Sequence, residues 1–213
     1  MKTLRFALAF LVSLFVIGCA TAPVTQAPRD HAGYVSLFDG SGLQHWDIVG
    51  SPAGWTVFDN GVLHSDGGKG GDWIRSKKEY SDFILELDYN ISQGGNSGVF
   101  IRCAKTGRSS MTGMECQISN ENRDDLHCTA ALYRYVAPNP RPDETPNVWH
   151  HYKISCIGKH ITVEVDGQVC TDVFLDDVEA IKDKPLRGYI GLQDSHTGPG
   201  KWVKFRNIRI QEV

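Results

Sequence analysis

The most informative side chains for chemistry sit in two short segments, Gly98–Cys103 (GVFIRC) and Met114–Ser119 (MECQIS). Read with the two-residue period of a strand, Val99, Ile101 and Cys103 share one face while Phe100 and Arg102 share the other. In the second segment Met114, Cys116 and Ile118 form an apolar face, leaving Glu115, Gln117 and Ser119 opposite. If the two strands pair, Arg102 stands beside Glu115 and Gln117. Carboxylate, amide and guanidinium groups held in fixed directions recognise the hydroxyls of a sugar. The same alternation also describes a solvated outer face with an incidental Glu–Arg pair, worth under about 1 kcal/mol.

The spacing bears on the reaction. A glycosidase of the ordinary kind needs two carboxyl groups, about 5–5.5 Å apart for retention or about 6.5–9.5 Å for inversion. Positions i and i+2 of a strand lie about 6.6–7 Å apart, but here the second position is Gln117, which cannot exchange a proton in that role. Asp194 is the nearest second acid by pattern. One base with an electrophilic arginine suits removal of a proton next to a carbonyl better.

The eight histidines do not form a metal pattern. His150 and His151 are adjacent on a predicted strand, so they point to opposite faces and cannot easily share an ion. No metal and no cofactor are expected. His196 lies with Asp194 and Ser195 in LQDSHTGPG, just beyond an apolar strand, where a sheet-end loop can reach a site. A Gly/Pro turn decorated with polar residues reads equally well. Gly94–Gly98 enters a strand with no P-loop lysine or helix after it, which excludes a phosphate loop. Trp46, Trp55, Trp73, Trp149 and Trp202 can stack on sugars or fill the core.

Strands must position these groups. In Phe83–Ile91 (FILELDYNI), Phe83, Leu85, Leu87, Tyr89 and Ile91 lie on one face with Glu86, Asp88 and Asn90 on the other, the mark of a half-buried antiparallel strand. Asn60-Gly61 and Asp166-Gly167 each separate two apolar runs, as hairpin turns do. His150–Ile157 leads through Gly158-Lys159 into the second hairpin, which predicts a three-stranded meander. Further strands are expected at Asp72–Ser76, Ala131–Val136, Tyr189–Gln193 and Val203–Gln211, with Asp176–Ile181 the one helical turn. A dozen short strands and almost no helix predict an all-β sandwich or jelly roll of two antiparallel sheets.

Residues 1–33 read differently. Lys2 and Arg5 precede the apolar run Phe6–Ile17, whose length as a helix is about 18 Å, too short to cross a bilayer core of about 30 Å. A basic start and a short apolar stretch make a signal peptide over residues 1–18. Val16-Ile17-Gly18-Cys19 resembles a bacterial lipobox, with Cys19 the lipidated residue and residues 19–33 an Ala/Pro/Thr-rich tether. An acylated Cys19 holds the protein at a membrane surface through its lipid alone. Ala20 after Cys19, by resemblance to lipoprotein sorting signals, favours the outer membrane of a bacterial envelope, facing the periplasm. The chain has 22 basic and 25 acidic residues, a net charge of −3, with no basic block. Nucleic acid is therefore not an expected partner. Residues 34–213 form one domain. Removing Cys19 from the six cysteines leaves Cys103, Cys116, Cys128, Cys156 and Cys170, and Cys103 with Cys116 is the best candidate disulfide; two buried thiols fit as well.

Taken in order, the motifs resemble a family. Val35–Gly40 with Leu43 and Trp46, Trp55-x-Val57 with Asn60–Leu63, and Tyr80–Phe83 are followed by Asn96–Phe100-x-Arg102 and Glu115-x-Gln117-Ile118. Ala131-Leu132-Tyr133, Trp149-His150, Gly188–Gln193 and Phe205–Ile208 complete the set. Together they resemble the 3-keto-disaccharide hydrolase domain across residues 34–213. The resemblance implies a concanavalin A-like jelly roll that cleaves glycosides already oxidised at C3. The keto group acidifies the C2 proton, a base removes it, the C1 substituent leaves, and water then adds. By motif, Glu115 is the base, Arg102 stabilises the developing enolate, and Asn96, Gln117 and Tyr133 contact the sugar. His150, Gln193, Asp194 and His196 join them as expected substrate contacts. A non-catalytic sugar-binding module using the same face is the alternative.

Overall fold

A computed structural model describes residues 33–121 and 123–213. The signal peptide, Cys19 and the tether up to residue 32 lie outside the described residues. Among the described residues thirteen strands build two antiparallel sheets. In chain order they are β1 (Val35–Phe38), β2 (Trp46–Val49), β3 (Trp55–Phe58), β4 (Val62–Asp66), β5 (Trp73–Tyr80), β6 (Phe83–Ile91) and β7 (Asn96–Cys103). A single helical turn, α1 (Ser109–Thr112), precedes β8 (Met114–Ser119). Then come β9 (His150–Ile157), β10 (His160–Val165), β11 (Gln168–Phe174), β12 (Gly188–Gln193) and β13 (Trp202–Glu212).

The larger sheet runs β11-β10-β9-β6-β13-β4-β3, with β1 also on β13, and the smaller runs β2-β5-β12-β7-β8. This is the expected jelly roll. The alternation of β6 places Phe83, Leu85, Leu87, Tyr89 and Ile91 in the core, where they meet Val99, Ile101, Cys116 and Ile118 from the smaller sheet. The β9–β10–β11 meander forms, and its second turn has Asp166 and Gly167 at φ of 51° and 85°. That is the left-handed pair a tight hairpin needs.

Two expected elements differ. Residues 131–136 are not a strand. Ala130 and Arg134 both take positive φ, 69° and 73°, so the chain turns too often to stay extended. It touches β8 through one bridge, Cys116 to Leu132. The expected helical turn contracts to a 3₁₀ turn over Leu175–Asp177.

The third difference governs the site. On the β12 side, Tyr189 pairs with Cys103 and Gly191 with Phe100, so three steps along β7 face two along β12. β7 therefore holds one extra residue, and Arg102 takes φ 52° there. One added residue reverses side-chain parity beyond it. Cys103 consequently packs with Trp73 and Phe100 rather than with Val99 and Ile101. Arg102 turns the other way, fully buried, and does not stand beside Glu115 and Gln117. Its Nε and Nη2 donate to the Ser81 carbonyl at 3.0 and 2.7 Å, and Nη1 donates to the Gly158 carbonyl at 2.7 Å. Asp82 Oδ1 accepts from Nη2 at 3.2 Å and from the Gly158 amide at 2.8 Å. Arg102 thus ties the β5–β6 turn to the β9–β10 turn.

Glycines make room for this kink on both sides. A Cβ on Gly113 would lie 2.4 Å from the Ile101 carbonyl oxygen, and one on Gly188 would lie 2.5 Å from the Arg102 carbonyl carbon. The parity change also removes the expected Cys103–Cys116 pairing, since the two thiols sit on opposite faces. All five described cysteines are free and buried.

Removing a buried, hydrogen-bonded guanidinium strands its partners and costs about 3–5 kcal/mol. Arg102→Ala is expected to lower the unfolding midpoint by on the order of 10 °C, read by thermal denaturation. A variant that unfolds like the wild type would show that Arg102 does not clamp the two turns.

Candidate functional site

β7 and β8 are buried along their whole length, on both faces. The inward face fills the core. The outward face floors a pocket of about 310 Å³. Strand register sets the floor: Phe100 lies opposite Glu115, Gly98 opposite Gln117, and Asn96 opposite Ser119. Gly191 of β12 lies beside Phe100, and Gln193 beside Trp73 of β5.

Two glycines shape the floor. A Cβ on Gly191 would lie 2.2 Å from the Trp73 ring, so the indole packs where that side chain would be, and it meets Phe100 edge-on at 5.5 Å. This is the apolar wall. A Cβ on Gly98 would lie 2.5 Å from Glu115 Oε1, so the Glu115 carboxyl occupies the space the glycine leaves. Glu115 is only 5% exposed. Burial pushes its carboxyl up to about 8, against the opposing charges of Arg108 and Arg134. Desolvation disfavours the charged form, and no carboxylate-binding donor is in place to offset it.

Beside Glu115 the amides form a chain. Gln117 Nε2 donates to Asn96 Oδ1 at 3.0 Å, and Asn96 Nδ2 donates to Glu121 Oε2. Glu121 in turn pairs with Arg123 Nε at 2.8 Å. Gln117 Oε1 and Gln193 Oε1 are buried without a hydrogen-bond partner. A buried acceptor with no donor costs about 1–3 kcal/mol, a debt that a ligand hydroxyl can cancel.

The segment after β8 supplies the next wall. Gln117 N donates to the Ala131 carbonyl at 3.0 Å, and Tyr133 N donates to the Glu115 carbonyl at 2.9 Å. These bonds carry Tyr133 to the pocket, with the His127 ring edge-on at 4.9 Å behind it. The opposite rim comes from the chain entering β5 and leaving β12. Asp72, at φ 55°, is held by Asp194 at two points: its amide donates to the Asp194 carboxylate Oδ2 at 2.9 Å and its carbonyl accepts from the Asp194 amide at 2.8 Å. Asp72 and His196 line the pocket.

Of the residues expected from sequence, Glu115, Gln117, Asn96, Gln193, Tyr133 and His196 line this one pocket. Asp194 is buried behind it and holds the backbone of Asp72 instead of facing the cavity. Arg102 lies at the far side of the sheet, as described above. His150 is also displaced. It is 3% exposed in the other sheet, stacked on Tyr89 at 5.2 Å. Its Nδ1 meets Asp166 Oδ2 at 2.7 Å and its Nε2 meets the Thr145 carbonyl at 2.9 Å. Burial works to lower its pKa, but acceptors at both ring nitrogens raise it above the ordinary histidine value. His150 is thus a core histidine, and its strand parity, shared with Tyr152, Ile154 and Cys156, carries that information.

Sequence reasoning missed Asp72, Arg108, Ser109, Ser110 and Arg123, all of which line the pocket. Each sits on a connection, where no two-residue period reports which way a side chain points. Among the described residues no group of three or more His, Cys, Asp or Glu side chains is placed to hold a metal ion.

Residues 33–211 match the model of the 3-keto-alpha-glucoside-1,2-lyase-like domain. The chain is 26% identical to a Bacteroides thetaiotaomicron protein named 3-keto-disaccharide hydrolase, over 87% of this chain and 80% of that one. A crystal structure from Parabacteroides distasonis, provisionally named a glycosyl hydrolase, superposes with a TM-score of 0.74 at 27% identity. The superposition covers 84% of this chain and 99% of that one. A Bacillus licheniformis β-glucanase shares the fold alone, with a TM-score of 0.55 at 14% identity over 84% and 97% of the two chains. Because the family match runs through every strand of the pocket, the chain belongs to the 3-keto-alpha-glucoside-1,2-lyase-like family.

Proposed function

We propose that this protein cleaves glycosides whose sugar carries a ketone at C3, with Glu115 as the base that takes the C2 proton. The observation that carries this reading is the Glu115 carboxyl, buried at the pocket floor with its pKa raised to about 8. A carboxylate with an ordinary pKa is a weak base toward carbon. Raising it by several units strengthens it where a ketone has already acidified the neighbouring C–H. A site that only binds sugar has no need of an isolated buried acid, whereas the unpartnered oxygens of Gln117 and Gln193 serve either role. The family membership and the named relatives support the substrate class.

The electrons of the broken C2–H bond first form an enolate with the C3 ketone; its collapse makes the C1=C2 double bond as the C1–oxygen bond breaks. The departing oxygen takes a proton, and water then adds across the double bond. The sum is hydrolysis. Asn96, Gln117, Gln193, Tyr133 and His196 surround the sugar, and Trp73 with Phe100 offers an apolar surface to a ring face. We further propose that Cys19 anchors the protein to the bacterial envelope by a lipid, a reading supported by the Val16–Cys19 motif alone. Cys19→Ala is expected to move the protein from the membrane fraction to the soluble fraction; unchanged partition would remove the anchor.

Glu115→Gln is expected to cut turnover of a 3-keto-glucoside by at least 10²-fold, within the range of a general base. In the wild type, kcat/KM is expected to rise about tenfold per pH unit up to about pH 8 and then level off, because only the ionised base reacts. Stability runs the other way. A carboxyl whose folded pKa exceeds its unfolded value destabilises the fold increasingly from about pH 4.5 to about 8, with the full cost present above that. Glu115→Gln is therefore expected to be several kcal/mol more stable than wild type at pH 9 and no more stable at pH 4. Full activity in the variant would refute the assignment of the base.

Gly98→Ala separates position from presence. Its Cβ would meet the Glu115 carboxyl oxygen at 2.5 Å, and a flexible side chain escapes such a contact by rotating away. The variant is expected to fold with little loss of stability and to lose about 10²-fold in kcat. Undiminished turnover would show that Glu115 need not occupy that space.

A further inference from the structure

Deprotonation beside a ketone leaves a negative charge on the C3 oxygen, and Arg102 is not in the pocket to meet it. We propose that Arg108 stabilises this enolate oxygen, resting on the reading of Glu115 as base. The step balances as follows. The C2–H bond breaks with its proton passing to Glu115, its electron pair forms C2=C3, and the ketone π pair moves to oxygen. Collapse of that enolate restores the C3 ketone, forms C1=C2 and expels the C1 oxygen with its bonding pair.

Three observations carry the assignment. Arg108 lines the same pocket as Glu115. Its charge is the larger of the two cationic influences on the Glu115 carboxyl. Among the described residues, nothing pairs with or hydrogen-bonds its guanidinium, whereas Arg123, the pocket's other arginine, is already held by Glu121. An uncommitted cation at the base's side of a pocket is available to a charge that exists only during reaction.

The connection that presents Arg108 is braced at several points. Arg75, itself buried and paired with Asp47 at 3.0 Å, donates through Nη1 to the Lys105 carbonyl at 2.7 Å. Cys103 Sγ donates to the Ser109 carbonyl at 3.2 Å, and the Ala104 amide donates to Thr112 Oγ1 at 3.2 Å. The Met111 and Thr112 amides close on the Arg108 carbonyl at 2.9 and 3.0 Å. The Cys103 contact exists only because the extra residue in β7 turned that thiol outward. The kink that withdraws Arg102 thus also fastens the loop that carries Arg108. A braced loop holds the backbone from which the guanidinium reaches, which lessens the reorganisation needed to meet a developing oxyanion.

The test is steady-state kinetics of wild type, Arg108→Lys, Arg108→Gln and Arg108→Ala on a 3-keto-glucoside, with thermal unfolding to verify folding. Losing one oxyanion donor costs about 10²–10³-fold in kcat. The expected result for Arg108→Gln is that loss with KM changed only a few-fold, and partial recovery in Arg108→Lys. Added guanidinium is expected to restore part of the activity of Arg108→Ala. The alkaline rise of kcat/KM is expected to move to higher pH in Arg108→Gln, since the cation that favours ionised Glu115 is gone. A kcat within threefold of wild type in Arg108→Gln overturns the proposal. So does a loss that neither guanidinium rescues nor a profile shift accompanies, which marks a bracing role only. Wild type inactive on the keto-sugar, with its fold intact, overturns the reading of the reaction itself.

Discussion

One extra residue in β7 decides what this site is made of. A strand offers its side chains alternately to two faces, so an insertion of one exchanges the faces for everything that follows. Here the exchange falls between Phe100, which lines the pocket, and Cys103, which three residues later lies on the same side of the sheet, buried against Trp73 and Phe100. Arg102 is the residue absorbed by the change. Its charge leaves the sugar-facing side and enters the interior, where three backbone and carboxylate acceptors receive it. The kink survives because Gly113 and Gly188 flank it without side chains. A non-glycine residue at positive φ costs about 1–3 kcal/mol, which the buried guanidinium network offsets.

The placement of Glu115 follows from the part of β7 before the kink. There the register is undisturbed, Phe100 faces Glu115, and the missing side chain of Gly98 leaves a recess of the size of a carboxyl group. A polar floor buried on both sides is an expensive arrangement: Glu115 is desolvated, and the oxygens of Gln117 and Gln193 lack donors. The core below supports it. Val99, Ile101, Cys116 and Ile118 fix β7 and β8 from the inner face, so the polar residues above cannot relax toward partners. Such local destabilisation inside a well-packed sheet is the usual mark of a site shaped for a ligand rather than for stability.

This division explains how far the sequence could be read. The strands of the larger sheet alternate cleanly, and β6, β9, β10 and β11 were all legible, because one buried face leaves a period of two in the residue types. On the pocket floor the same period picks out Glu115 and Gln117, whereas Asn96 and Gln193 follow only from the family motifs. Arg102 was misplaced because a bulge changes parity without changing composition. His150 enters the expected contacts through the Trp149-His150 motif alone, while its strand parity, shared with Tyr152, Ile154 and Cys156, places it in the core. Asp72, Arg108 and Arg123 lie on connections, where direction is set by local turns and by contacts such as the Asp194 carboxylate on the Asp72 amide. Residues 131–136 looked like a strand from their apolar content, but two left-handed residues bend them along the edge of β8.

The two arginines show why residue type and role have to be separated. Arg102 and Arg108 are six positions apart, on the strand and on the loop that follows it. Burial makes the first a clamp: every donor it offers to a neighbour is engaged by the fold, and a charge so committed cannot respond to another that appears in the pocket. The second is exposed, its backbone is braced by its neighbours, and its guanidinium is bound to no other group among the described residues. Electrostatic catalysis needs that second condition, a preorganised dipole or ion whose partner is absent until the reaction creates it. Under the role proposed for Arg108 the loop supplies that ion, whereas the strand's own cation, Arg102, holds the kink from which the loop departs.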